Sequence, residues 1–226
     1  MAILFVTYAN DKFSDKQLAL CQKAVLNNFK IAPYTEHWFQ RTDFYKSNKK
    51  ILDQTRGAGY WLWKPYIIKH ALETFADDDD TVFYIDSGDV FHSQLDDISF
   101  ESELISQMNN VDQLFITYGN NNAKWTKRDC FVYMDCDSEK YWSASQLEAG
   151  VSFWKNKKSS ISLLNEWLHY CLDERILTDI QNVSGKDNLP SFQDHRHDQS
   201  ILTNLVVKYN LKVDNGKIRK YTFPNA

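Results

Sequence analysis

The sequence predicts an α/β fold: a three-layer α/β/α sandwich whose central sheet is mainly parallel. Three observations predict it. The runs "ILFVTY" (3–8) and "TVFYID" (81–86) are dominated by apolar residues without strict alternation and are of strand length, as strands buried on both faces are. Segments with helical apolar periodicity alternate with such runs. No internal repeat breaks the alternation, and the 226 residues suit one domain over 1–226 with a sizeable core.

Taken in order, "ILFVTY" is the first strand, closed by polar "ANDKF". "DKQLALCQKAVLNNF" follows as a helix, with Leu18, Cys21, Val25 and Leu26 on one face and Ser14 placed to cap it. "YTEHWF" (34–39) reads as a second strand, and residues 40 to 58 as a mobile loop or short helices. "GAGYWLWKPYIIKHALETF" (57–75) is a helix with an unusual entrance. Ile67, Ile68, Ala71, Leu72 and Phe75 form its apolar face, and Pro65 stands in the first turn, where its missing N–H does no harm. "DDDD" (77–80) reads as a solvated loop. Further strands are expected at 112–118, 130–135 and 150–156, helices at 161–177 and 198–209, and short strands at "LKV" and "IRKY".

Charge and cysteine usage narrow the class. The net charge is −4 and no Lys/Arg block resembles a nucleic-acid arm, so a nucleic-acid partner is not expected. "KSNKK", "KNKK" and "KIRK" read as solvated faces, or as weak sites for phosphate or an anionic membrane surface. The four cysteines form no CxxC pair, no disulfide framework and no zinc spacing, which suits a reducing compartment. The N-terminus has no basic region before its apolar run, and no stretch reaches membrane-spanning length. The expected location is cytoplasmic, with peripheral attachment at a membrane as the variant. Aromatic residues make up 15%, more than a core requires, and the surplus suits stacking on ring-shaped ligands.

Four stretches can carry chemistry. In "VFYIDSGDVF" (82–91) a strand runs into Asp86, Ser87, Gly88 and Asp89. Two strand-end carboxylates can hold a hard divalent cation against phosphate oxygens, or can simply be a polar turn. In "HRHDQSILTNL" (195–205), His195, His197, Asp198 and Gln199 precede a helix, with Asp198 either a cap or a site carboxylate. In "QLEAGVSFWKN" (146–156), Gly150 allows close backbone approach, and Glu148 could bind a sugar hydroxyl or a cation. In "RGAGYWLWKP" (56–65), Arg56 and Lys64 could meet phosphates, while Trp61 and Trp63 read as core. Its GxG follows no clear strand, so a dinucleotide fingerprint is not indicated.

The order of these stretches resembles the GT-A nucleotide-sugar glycosyltransferases, above all the branch containing glycogenin and the bacterial lipopolysaccharide galactosyltransferases. The resemblance implies a Rossmann-like fold. Asp86 matches the first acid of that branch's Y-L-D-A-D motif, Gly88 stands at the second, and Asp89 lies one step later. The implied cofactor is Mn²⁺ or Mg²⁺, with Asp86, Asp89 and His197 as ligands; the branch's C-terminal metal-binding His has no match in "KIRKYTFPNA". Thr7, Tyr8 and Asn10 match the region around the nucleotide base, and Lys64, Asp86, Ser87 and Gly150 the rest of the donor site. Asp198, Gln199 and Glu148 fall at the catalytic positions. The implied activity is sugar transfer from a nucleotide-diphosphate sugar, a UDP-sugar above all, to a glycan or protein acceptor, with retention preferred. A non-catalytic carbohydrate- or nucleotide-binding protein on this scaffold and a nucleotidyltransferase are the alternatives.

Overall fold

The structure is a computed structural model in which residues 2–88, 99–214, 216 and 218 are described. Among these residues five strands form one sheet: β1 (Ile3–Ala9), β2 (Lys30–Thr35), β3 (Thr81–Ile85), β4 (Gln113–Asn121) and β5 (Ser145–Lys155), in the order β2-β1-β3-β5-β4. β1 pairs in parallel with β2 and β3, and β5 runs antiparallel to both β3 and β4. The sheet is thus mostly parallel, with β5 the reversed strand. That reversal matters for function. It brings the early residues of β5 to the edge where β1 and β3 end, which is where ligands bind in sheets of this kind.

Side-chain alternation along the strands divides the apolar residues into two cores. Ile3 and Phe5 of β1, with Phe83 and Ile85 of β3, pack under α1 (Ser14–Leu26) and α3 (Ser99–Met108). Leu4, Val6 and Tyr8, with Val82 and Tyr84, face α2 (Trp63–Phe75), α4 (Lys158–Cys171) and α5 (His197–Lys208). These are the three predicted layers. On β5 the alternation slips at Gly150: Leu147 and Ala149 belong to one core, Val151 and Phe153 to the other. A glycine suits such an irregularity. All four cysteines are free and buried, and among the described residues no helix is long and apolar enough to cross a membrane.

Several local expectations are corrected. α1 buries Gln17, Leu20, Cys21 and Ala24, while Leu18, Val25 and Leu26 are exposed. The buried face keeps helical spacing but begins on a polar residue. Gln17 donates to the carbonyls of Thr7 and Tyr34 and so ties α1 to two strands. Ser14 is the first helical residue, not the cap; a tight turn, Asp11–Phe13, precedes it, and Ser14 donates to the Asp11 carbonyl. The second strand ends at Thr35, whose hydroxyl accepts from the Trp38 amide and starts a helical turn, Glu36–Phe39. Residues 40–58 form short helices. Phe75 is half exposed instead of core.

The segment at 130–135 is helical, within Arg128–Tyr133, not a strand: Cys130 and Phe131 enter the core while Asp129 accepts from the Val183 and Ser184 amides. Packing and loop tethering override its β-favouring composition. The long helix expected over 161–177 ends at Cys171. Asp173 then accepts from the Arg175 amide and starts a separate turn, Glu174–Leu177. Asp80 is not solvated: it is buried and accepts from the Ala2 and Asp77 amides beside Lys30. Of the two short C-terminal strands, "LKV" contributes a single bridge, Val213 to Phe115. "IRKY" falls largely outside the described residues.

Candidate active site

β1, β3 and β5 converge at one edge of the sheet, and α2 and α5 deliver side chains to the same point. Asp86 follows β3 directly, and its amide donates to the Gly150 carbonyl at 2.8 Å. Two residues earlier on β3, Tyr84 donates its hydroxyl to the Asp86 carboxylate. α2 begins at Trp63, so Lys64 lies in its first turn. The Lys64 ammonium is 3.3 Å from Asp86 Oδ2, 3.1 Å from Asp198 Oδ2 and 3.2 Å from the Ala149 carbonyl. α5 begins at His197, which sets Asp198 in its first turn; the N-cap is Arg196, so Asp198 is not the cap, and it lines the cleft instead. Gln199 Oε1 accepts from the Ala149 amide at 3.2 Å, and Glu148 accepts from the Gly150 amide at 2.9 Å. Carboxylates 112 residues apart in sequence thus meet on one buried ammonium.

The electrostatics follow from burial. Asp198 is 3% exposed. Burial, reinforced by the nearby Asp86 charge and partly offset by Lys64, pushes its carboxyl up to about 7. Glu148 moves in the same direction, again chiefly by burial. Burial also works against the Lys64 charge, but Asp198 and Asp86 outweigh it and hold the ammonium above its usual range.

Asp86 stands between two lobes of a cleft. One, of about 460 Å³, is lined by Lys64, Glu148, Gly150, His197, Asp198 and Gln199, with Arg56, Arg196 and Trp125 on its walls. The other, of about 560 Å³, is lined by Tyr8, Asn10, Phe13, Trp63, Ser87 and Gly88. Asp86 and Trp61 border both. The first lobe is rich in unsatisfied polar atoms. Trp125 Nε1, Gln146 Oε1, His197 Nε2 and Asp198 Oδ2 are buried without a hydrogen-bond partner in the protein. Of these, Asp198 Oδ2 lies 3.1 Å from the Lys64 ammonium, so its charge is met although no other donor reaches it. Buried polar groups are normally paired, and a cluster of exceptions in one cleft points to a polar ligand.

Of the remaining predicted residues, Tyr8 and Asn10 line the second lobe and His197 the first, while Thr7 and His195 line neither. Tyr8 stacks on Trp63 with ring centroids 4.0 Å apart, and its carbonyl accepts from Ser87 Oγ at 2.6 Å. Asn10 keeps Oδ1 unpartnered in the same lobe. Thr7 is fully buried within β1 and lines neither lobe. The two histidines differ. His195 uses both ring nitrogens on backbone, accepting from the Lys127 amide and donating to the Ile176 carbonyl. His197 donates through Nδ1 to the Leu177 carbonyl at 2.7 Å, which leaves Nε2 as the lone-pair nitrogen. Burial lowers its affinity for a second proton.

Among the described residues no group of three or more His, Cys, Asp or Glu side chains could hold a metal ion. Asp89 lies outside the described residues. Asp86 and His197 line the same lobe. Mg²⁺-type ions are commonly held by one or two carboxylates plus substrate phosphates instead of a protein cage. An ion of that kind would meet Asp86, which is partly exposed at the junction of the lobes and whose oxygens also accept from the Tyr84 hydroxyl and the Lys64 ammonium.

Some lining residues were not singled out from the sequence. Gln146 alternates with Glu148 along β5, so strand periodicity could have found it; Tyr84, two residues before Asp86, supports that carboxylate from β3 without lining either lobe. Asn120, Trp125 and Arg196 had no local signal. Arg196 stacks over Trp125 at 4.5 Å, and Arg56 pairs with Asp179 and Asp194. The segment carrying Asp179, Asp194 and Arg196 is anchored at its start by Lys127, which donates to the Thr178 and Ile180 carbonyls.

No protein-family model and no curated protein matches the chain. Among solved structures, its fold is similar to that of a glycosyltransferase involved in the glycosylation of the major capsid of PBCV-1. That likeness has a TM-score of 0.50 at 11% identity, covering 99% of this chain and 89% of the other. At that identity the likeness is one of fold. The architecture is a Rossmann-like α/β fold of the kind glycosyltransferases use.

Proposed function

We propose that the protein is a glycosyltransferase that moves a sugar from a nucleotide-diphosphate donor, a UDP-sugar above all, to a glycan or protein acceptor. The observation that carries this reading is the convergence of Asp86 and Asp198 on Lys64 at the junction of a two-lobed cleft. The cleft suits a bipartite ligand. The aromatic lobe beside Tyr8 and Trp63 would take the nucleoside, Asp86 would face the diphosphate, and the polar lobe would take the sugar. Glu148, Gln146 and His197 Nε2 are available to its hydroxyls.

In this reading Asp198 sits beside the anomeric carbon. Its ionised form would stabilise the positive charge that develops there, and Gln199 would fix the adjoining strand through the Ala149 amide. Lys64 orients both carboxylates. Arg56 and Arg196 on the walls, each paired with Asp194 and Arg56 also with Asp179, could offer hydrogen-bond donors to the departing diphosphate. A bound Mn²⁺ or Mg²⁺, held by Asp86 together with Asp89, would offset charge on that leaving group. Retention is the preferred outcome. Inversion would instead use Asp198 or Glu148 as general base toward the acceptor hydroxyl. The resemblance to the glycogenin and lipopolysaccharide galactosyltransferase branch supports the donor class through Asp86, Ala149-Gly150 and Asp198-Gln199.

A panel of nucleotide sugars incubated with the protein and Mn²⁺, assayed for nucleoside diphosphate release, tests the reading. Release of UDP from a UDP-sugar, lost in Asp198→Asn, is the expected result. Pyrophosphate release would indicate nucleotidyl transfer, and binding without turnover of any donor a non-catalytic role.

A further inference from the structure

Among the described residues, the stretch "RGAGYWLWKP" contains the longest run of positive φ. Gly57, Ala58, Gly59, Tyr60 and Trp61 have φ of 57°, 50°, 91°, 54° and 59°, so five successive residues make one left-handed turn. For a residue with a side chain that conformation costs about 1–2 kcal/mol, and three of the five carry one. Strain of this kind persists only where surrounding contacts determine it, and it gathers at functional sites.

The contacts are specific. The Gly59 amide donates to the Gln54 carbonyl at 2.8 Å, and the Tyr60 amide to the Arg56 carbonyl at 2.7 Å. Trp63 Nε1 donates to the Gly57 carbonyl at 3.0 Å. Both glycines are sterically required. A Cβ on Gly59 would lie 2.5 Å from Leu52 Cα, and one on Gly57 would lie 2.3 Å from the Trp61 ring.

The turn therefore positions Trp61. Its indole packs directly on Gly57 and stacks near the His197 ring, 5.7 Å between centroids at 20°. Trp61 is half-buried and borders both lobes of the cleft, as Asp86 does. A ligand that spans the lobes must pass these two residues. One offers charge, the other an apolar aromatic surface.

We propose that Trp61 is a specificity-determining residue that seats the sugar ring of the donor against the indole once the diphosphate lies at Asp86. The assignment rests on the nucleotide-sugar reading of the cleft. The ligand class is a pyranose, whose C–H face complements an aromatic surface. Trp61 also borders the nucleoside lobe, so in this arrangement it contributes more to binding of the sugar-bearing donor than of the free nucleoside diphosphate.

Isothermal titration of UDP and of UDP-hexoses into wild type, Trp61→Phe, Trp61→Leu and Trp61→Ala tests it, with circular dichroism melting to show that each variant is folded. Trp61→Ala is expected to weaken the best-bound UDP-hexose by about tenfold while UDP changes by less than about twofold, and Phe to recover most of the loss. Trp61→Leu keeps bulk without the ring and is expected to behave like Ala, which preserves the test if Trp61→Ala does not fold. An unchanged UDP-hexose affinity, or equal weakening of UDP and UDP-hexose, overturns the Trp61 assignment and leaves the donor reading standing. Wild type that binds neither UDP nor any UDP-hexose overturns the donor reading and the Trp61 assignment with it.

Discussion

Lys64 and Asp198 form a buried ion pair at 3.1 Å, and the same ammonium lies 3.3 Å from Asp86. Removing the ammonium would leave two carboxylates facing each other, one of them fully buried. Lys64→Met is therefore expected to lower unfolding stability by about 3–5 kcal/mol, the range for a broken buried pair. It should also abolish donor turnover. Urea denaturation followed by fluorescence checks the first effect; a loss near zero would mean that the ammonium does not hold the two acids.

Asp198 gives the site a pH signature. Its carboxyl lies at about 7 in the folded protein against 3.8 in the reference state, so the fold keeps a proton that the unfolded chain has released. Stability from this group is therefore greatest below the lower value and declines as pH rises between the two. Melting temperatures of wild type and Asp198→Asn across that interval should show wild type losing ground to the variant as pH rises. Turnover should move oppositely, rising through neutral pH as the carboxylate ionises. A constant melting difference would indicate an Asp198 with an ordinary carboxylate.

Asp86 is the expected contact between protein and donor-borne metal. UDP should bind more tightly with Mn²⁺ than with EDTA, and Asp86→Ala should remove most of that difference. Titration calorimetry on both proteins measures it. The same Mn²⁺ enhancement in wild type and variant would take Asp86 out of the metal contact.

Gly59 is the steric keystone of the left-handed turn. Gly59→Ala meets both the φ of 91° and the Leu52 backbone. It should destabilise the protein by more than about 1 kcal/mol, beyond the usual effect of Ala at a positive φ. Denaturant midpoints compared with Gly185→Ala give the control, since nothing lies within 4 Å of a Cβ there and its φ is also positive.

The strands and the layer order were legible because apolar runs at 3–8 and 81–86 have no amphipathic alternation and so must be covered on both sides. The meeting of Asp86, Glu148, Asp198 and Lys64 was legible from motif order, not from any single motif. What escaped the sequence is tertiary. Nothing local marks 130–135 as helix, because its strand-like residues are placed by the loop that Asp129 tethers. The face of α1 was misread because a glutamine bonded to two strand carbonyls stands where an apolar residue was sought. Trp61 packs against the core as expected, and its second place on the cleft wall follows from five successive residues with left-handed backbone, which sequence does not show. Arg196 and Trp125 come from separate segments and meet only in the folded chain.

The most direct test of the central claim is a crystal structure of the protein with an intact UDP-sugar or a non-hydrolysable analogue. One donor should lie across both lobes, its diphosphate against Asp86 and its anomeric carbon beside Asp198. A donor bound elsewhere, or one that touches Asp86 while its sugar points away from Asp198, would contradict the claim.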